Sequence, residues 1–122
     1  MELPNTLSSI GRDAFDECGN LESITLPDTV TFIGWDAFRY CGSLEELTIP
    51  ASVSEIESDA FLSCAPLTIT FEGDAPSCRF EVDYLINIAS PSDDPNSVTI
   101  QYHGTGFDEL IQNYPDYNWV QY

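Results

Sequence analysis

Leu21-Glu22-Ser23-Ile24-Thr25-Leu26-Pro27 returns 23 residues later as Leu44-Glu45-Glu46-Leu47-Thr48-Ile49-Pro50. The same interval separates Pro4, Pro27 and Pro50; Ile10, Ile33 and Ile56; Phe15, Phe38 and Phe61; and Cys18, Cys41 and Cys64. A fixed period in the twenties is the signature of a repeat architecture, in which no single repeat can bury its own apolar side. Each copy must therefore lie flat on the next, and the recurring residues become ladders running through the stack.

Within a copy the apolar spacing changes. Leu21-x-x-Ile24-x-Leu26 ends in period two, as a short strand does. Proline ends that strand because it has no backbone N–H to donate. The later Asp-Ala-Phe-x-x-Cys segment suits one helical or 3₁₀ turn. Strand, corner and turn make a coil, and stacked coils place their strands in a parallel sheet at a spacing of about 4.8 Å. The third opening, Leu67 to Phe71, comes one residue early, so Ile69 and Phe71 follow Leu47 and Ile49 by 22. The pattern then decays. The reading gives about three coils over 1–72 and a C-terminal cap, continuous with them, over 73–122. In the cap, strands are expected in the apolar stretch 79–90, at Val98–Tyr102 and at Asn118–Tyr122, with a loop at 91–96 and a short helix between Gly106 and Tyr114. Met1 and Leu3 occupy positions that are core in the next copy. The chain is therefore expected to be the C-terminal fragment of a longer array, with an exposed apolar N-terminal edge prone to self-association.

These motifs, Leu-x-x-Ile-x-Leu-Pro followed by Ile-Gly-x-x-Ala-Phe-x-x-Cys, resemble the BspA-like class of leucine-rich repeats. The tail is similar too: Phe71-Glu72-Gly73-Asp74-Ala75-Pro76, a strand ending in Tyr102, Asn113-Tyr114 and a final Trp119. The resemblance covers residues 2–76 and 98–122. It implies an α/β right-handed solenoid with a short parallel strand face, one-turn helices and an atypical cap. It also implies a secreted or cell-surface protein, usually bacterial, with an adhesive or ligand-binding role. Glu57 departs from the pattern, standing where Gly11 and Gly34 stand, and 77–97 follows none.

Charge narrows the partners. Twenty-one acidic residues face Arg12, Arg39 and Arg79 with no lysine, for a net charge of −18. Such a surface repels phosphate backbones and anionic headgroups, so nucleic acid and membrane surfaces are poor partners. No apolar run reaches the roughly 20 residues of a membrane helix. The cysteines at the repeat period read as reduced, buried thiols packing as small hydrophobes. Cys78 stands outside that column. The single histidine, His103, has no nucleophile at an interpretable spacing, and glycine-rich phosphate loops are absent. No catalytic residue or cofactor is assigned, and the expected partner is a protein or a glycan.

Three candidate sites remain. The strand face offers Thr25, Glu46, Thr48, Thr70 and Glu72, as ligand-binding hydroxyls and carboxylates or simply as strand-favouring threonines. The turn segment offers Trp35, Arg39, Tyr40 and Leu62, residue types found in binding hot spots, or aromatics partly covered by neighbouring coils. Asp13, Asp36 and Asp59 form an acidic column, suited either to calcium or to capping their own helical turns. Asp93-Asp94 is a weaker candidate for calcium. A purely architectural role, capping and spacing a longer array, is the alternative to binding.

Overall fold

The computed structural model describes residues 1–57, 59–61, 64, 67–79, 98–113, 115 and 117–122. The expected coils are present, and each has three sides. On the strand side, β3 (Glu46–Ile49), β5 (Leu67–Phe71), β7 (Val98–Tyr102) and β8 (Asn118–Gln121) form one parallel sheet in that order. The 22-residue step read from the sequence is the observed register, with Leu47 opposite Ile69 and Ile49 opposite Phe71.

The proline column makes the first corner. Pro4, Pro27 and Pro50 each accept a hydrogen bond on their carbonyl from the amide three residues on, at Leu7, Val30 and Val53. The chain then enters a second parallel sheet, β1 (Ser9–Ile10), β2 (Phe32–Ile33), β4 (Glu55–Glu57) and β6 (Ser77–Arg79). Ile10, Ile33 and Ile56 stack in register there. Cys78 lies outside the cysteine column, its Cα opposite Ile56.

The third side differs from expectation. The segments after Gly11 and Gly34 are chains of i→i+3 turns, not one-turn helices. Asp13, Glu17, Asp36, Tyr40 and Asp59 sit at φ between 56° and 58°, so no right-handed helix can run through them. Amides of these segments, those of Asp13 and Glu17 among them, turn to the next coil instead. Asp13, Phe15 and Glu17 donate to the carbonyls of Trp35, Ala37 and Arg39, and Phe38 donates to Ala60. A left-handed residue costs roughly 1–2 kcal/mol, offset here by a hydrogen bond between coils.

The core lies between coils. Phe15 stacks on Phe38 with ring centroids 5.2 Å apart and planes 7° from parallel, and Phe38 on Phe61 at 5.7 Å and 9°. Cys41 and Cys64 are fully buried free thiols, each donating to the carbonyl of the phenylalanine one coil back, Phe15 and Phe38. The neighbouring Cys41 thiol and burial hold the Cys64 thiol far above its ordinary pKa. Cys18, in the first coil, is half-buried. At the other end Phe71, Tyr102 and Phe107 close the core. The only helix among the described residues is α1 (Asp108–Asn113). The strands expected at 98–102 and 118–122 are β7 and β8; the expected features of 80–97, Asp93-Asp94 included, lie outside the described residues.

One interruption matters below. The strand expected at 21–27 makes only a single bridge, Thr25 with Glu2. Among the described residues, no backbone hydrogen bond joins 22–27 to 45–50. Side-chain burial of Ile24, Leu26, Leu47 and Ile49 holds the coils there, together with Ser54 and Glu55 donating to Thr31 on the next side.

Candidate functional site

On the turn side, position 35 of one coil lies 23 residues after position 12, and position 39 after position 16. The repeat register therefore stacks an arginine on the tryptophan and an aspartate on the second arginine. Arg12 places its guanidinium carbon 6.0 Å from the Trp35 ring centroid, and its Nε lies 3.5 Å from Glu57 Oε2. The same Glu57 oxygen accepts the Trp35 backbone N–H at 3.0 Å. This explains the exchange of glycine for Glu57: the third coil supplies an acceptor for the tryptophan above it.

Arg39 forms a fork with Asp16, Nε to Oδ1 at 2.8 Å and Nη2 to Oδ2 at 2.7 Å, while Nη1 reaches Asp36 at 3.3 Å. Its guanidinium carbon also sits 5.3 Å from the Tyr40 ring centroid. The hydrogen bond from Arg39 lowers the Asp16 carboxyl below the usual carboxylate range. Asp36 goes the other way. Only 3% exposed, its carboxyl is raised by burial; Arg39 pulls it back, and the charges of Asp59, Asp13 and Asp16 push it up again. Trp35 and Tyr40 remain 43% and 48% exposed. The result is two exposed aromatic rings, each beside an arginine that pairs with a carboxylate.

Trp35, Arg39 and Tyr40 thus come together with Arg12, Asp16 and Glu57, which sequence reasoning passed over although the 23-residue register pairs them. Leu62 lies outside the described residues. The acidic column is present, but Asp13 and Asp36 do not cap helical turns, because the turns that follow them are not helical. Asp36 turns to Arg39, and Asp59 leaves a buried Oδ1 without a partner. Among the described residues no group of three histidine, cysteine or acidic side chains is arranged to hold a metal.

The strand side divides along the solenoid axis. Towards the cap the polar rows satisfy themselves: Thr70 donates to Gln101 and Asn118 donates to Thr99. Thr70 is half-buried in that row. Towards the N-terminus, Thr25, Glu46, Thr48 and Glu72 are exposed around a hollow of about 430 Å³ that also takes in Asp28. None of their side chains has a hydrogen-bond partner among the described residues. No helix among the described residues is long and apolar enough to cross a membrane.

Comparison with known proteins agrees with this geometry. The BspA type leucine rich repeat region model matches residues 1–75 in six copies. The crystal structure of a T. pallidum leucine rich repeat protein is similar, with 42% identity and a TM-score of 0.55, over 56% of this chain and 32% of that one. A leucine-rich repeat protein from Bacteroides ovatus ATCC 8483 shares the fold, at 24% identity and a TM-score of 0.60, over 93% of this chain and 28% of that one. The chain spans less than a third of the length of either. No curated protein matches it significantly. With a repeat match over more than half its residues and the ladders that match requires, the chain belongs to the BspA-type leucine-rich repeat family.

Proposed function

We propose that the chain is a non-catalytic interaction module of a secreted or cell-surface protein, binding a host or matrix protein or a glycan in the manner of an adhesin. The observation that carries this is the turn-side patch. Trp35 and Tyr40 present large exposed rings, each with an arginine beside it, Arg12 and Arg39. Aromatic and arginine side chains are the types that dominate interface energetics. Family membership supports an interaction role in general terms. The test is binding of the purified chain to arrays of matrix proteins and glycans. Alanine at both Trp35 and Tyr40 should reduce binding at least tenfold for any partner found; unchanged binding to every partner rejects the patch.

A second, architectural reading rests on the cap. β7 and β8 extend the strand sheet beyond β5 and cover its edge, whereas the first coil leaves Met1 58% exposed and Phe15 only half-buried. On this reading the chain closes one end of a stack and self-associates through the other. Light scattering across a concentration series should show growth in mass, and a strict monomer at high concentration counts against it.

A further inference from the structure

We infer that the strand side, across the second and third coils, is the docking groove for an extended lysine- or arginine-rich polypeptide segment. The inference rests on reading the chain as an interaction module, but not on the turn-side patch.

The first observation is the missing ladder. Thr25 N–H donates to Met1 O, and the repeat register would have Thr48 N–H donate to Ile24 O; that bond is absent. Burial of Ile24, Leu26, Leu47 and Ile49 closes that gap, so a ligand lies across the strand face and does not add a strand between the coils. The second observation is shape. The hollow of about 430 Å³ shares Ser23 with a neighbour of about 630 Å³ and Thr25 with another of about 280 Å³. Together they make one elongated trough rather than a closed pocket.

The third is charge. Glu2, Glu22, Asp28, Glu45, Glu46 and Glu72 line the trough, all exposed. The ion pairs among the described residues all involve Arg12 or Arg39 on the turn side, so none of these six carboxylates is in an ion pair among the described residues. Among the described residues a positive group already sits in the trough, the Met1 ammonium, which donates to Ser23 O at 3.0 Å. An amine on a carbonyl of the trough floor is the contact a lysine side chain would repeat. The carboxylates are spread along the trough and do not converge on a point, which suits a chain of cations better than a single ion. Basic side chains of an extended segment recur on one face every two residues, about 6.6–6.8 Å apart, so several can reach the carboxylates at once.

The test uses the whole chain and a fluorescent decapeptide of alternating lysine and serine, with glycine–serine and glutamate–serine peptides as controls. Only the lysine peptide should bind, more weakly as salt rises, and its binding should slow hydrogen exchange at the Thr48 amide. The double variant E46Q/E72Q should bind at least tenfold more weakly. E17Q/E109Q, with the same change in net charge away from the trough, should stay within twofold. The inference is overturned if both variants weaken binding equally, if the neutral peptide binds as well, or if the Thr48 amide is unaffected. Retained peptide binding in W35A/Y40A, alongside lost binding to an array partner, separates this site from the turn-side patch.

Discussion

Gly34 is a residue at which the backbones of adjacent coils pack closely. A Cβ there would lie 2.7 Å from Arg12 N and 2.9 Å from Gly11 C, both backbone atoms that cannot move aside. G34A is therefore expected to destabilise by about 1–3 kcal/mol, measured by denaturant unfolding. Phe38, fully buried and sandwiched by two rings, should cost about 3–5 kcal/mol when cut to alanine. Asp36 gives a pH prediction. Its carboxyl is raised in the folded chain, so protonation favours the folded state. Its contribution to stability should grow as pH falls through that raised value towards the ordinary carboxylate range, about 4. Asp16 acts oppositely: its lowered carboxyl stabilises above the ordinary range and loses that contribution as pH falls through the lowered value. D36N should remove the acid-side gain in stability, seen as a flatter curve of unfolding free energy against pH; a curve unchanged from wild type would contradict the assignment.

At the scale of elements, β7 and β8 complete a sheet that would otherwise end at β5 with Ile69 and Phe71 open to solvent. A chain ending at residue 97 is expected to lose cooperative thermal unfolding, and a sharp transition in that shortened chain would show the repeats sufficient alone. The columns were legible in the sequence because apolar residues at a fixed interval have one economical arrangement, so Phe15, Phe38, Phe61 and the 22-residue step at Leu67 could be placed in advance. The turn geometry was not. Asp-Ala-Phe-x-x-Cys has the i, i+3 spacing of a helical turn, and nothing local announces the left-handed residues at Asp13 and Glu17. Those conformations are set by hydrogen bonds to the neighbouring coil, which a reading within one repeat does not contain. The turn-side site was half legible for the same reason. Trp35, Arg39 and Tyr40 stand out by type, whereas Arg12, Asp16 and Glu57 matter only through what lies one coil away.

For the molecule as a whole, a charge of −18 and a stack of near-copies have linked consequences. Arg12 and Arg39 lie beside exposed rings on the turn side, and the strand side is left strongly negative towards its N-terminal half. The two faces are therefore suited to chemically different contacts, while the ladders between coils carry the stability of both. The most direct test of that arrangement is a nuclear Overhauser spectrum of the chain with labelled phenylalanine. The Phe38 ring should show cross-peaks to both Phe15 and Phe61, and none should join Phe15 to Phe61. A Phe38 ring close to neither would contradict the stacked coils and everything built on them.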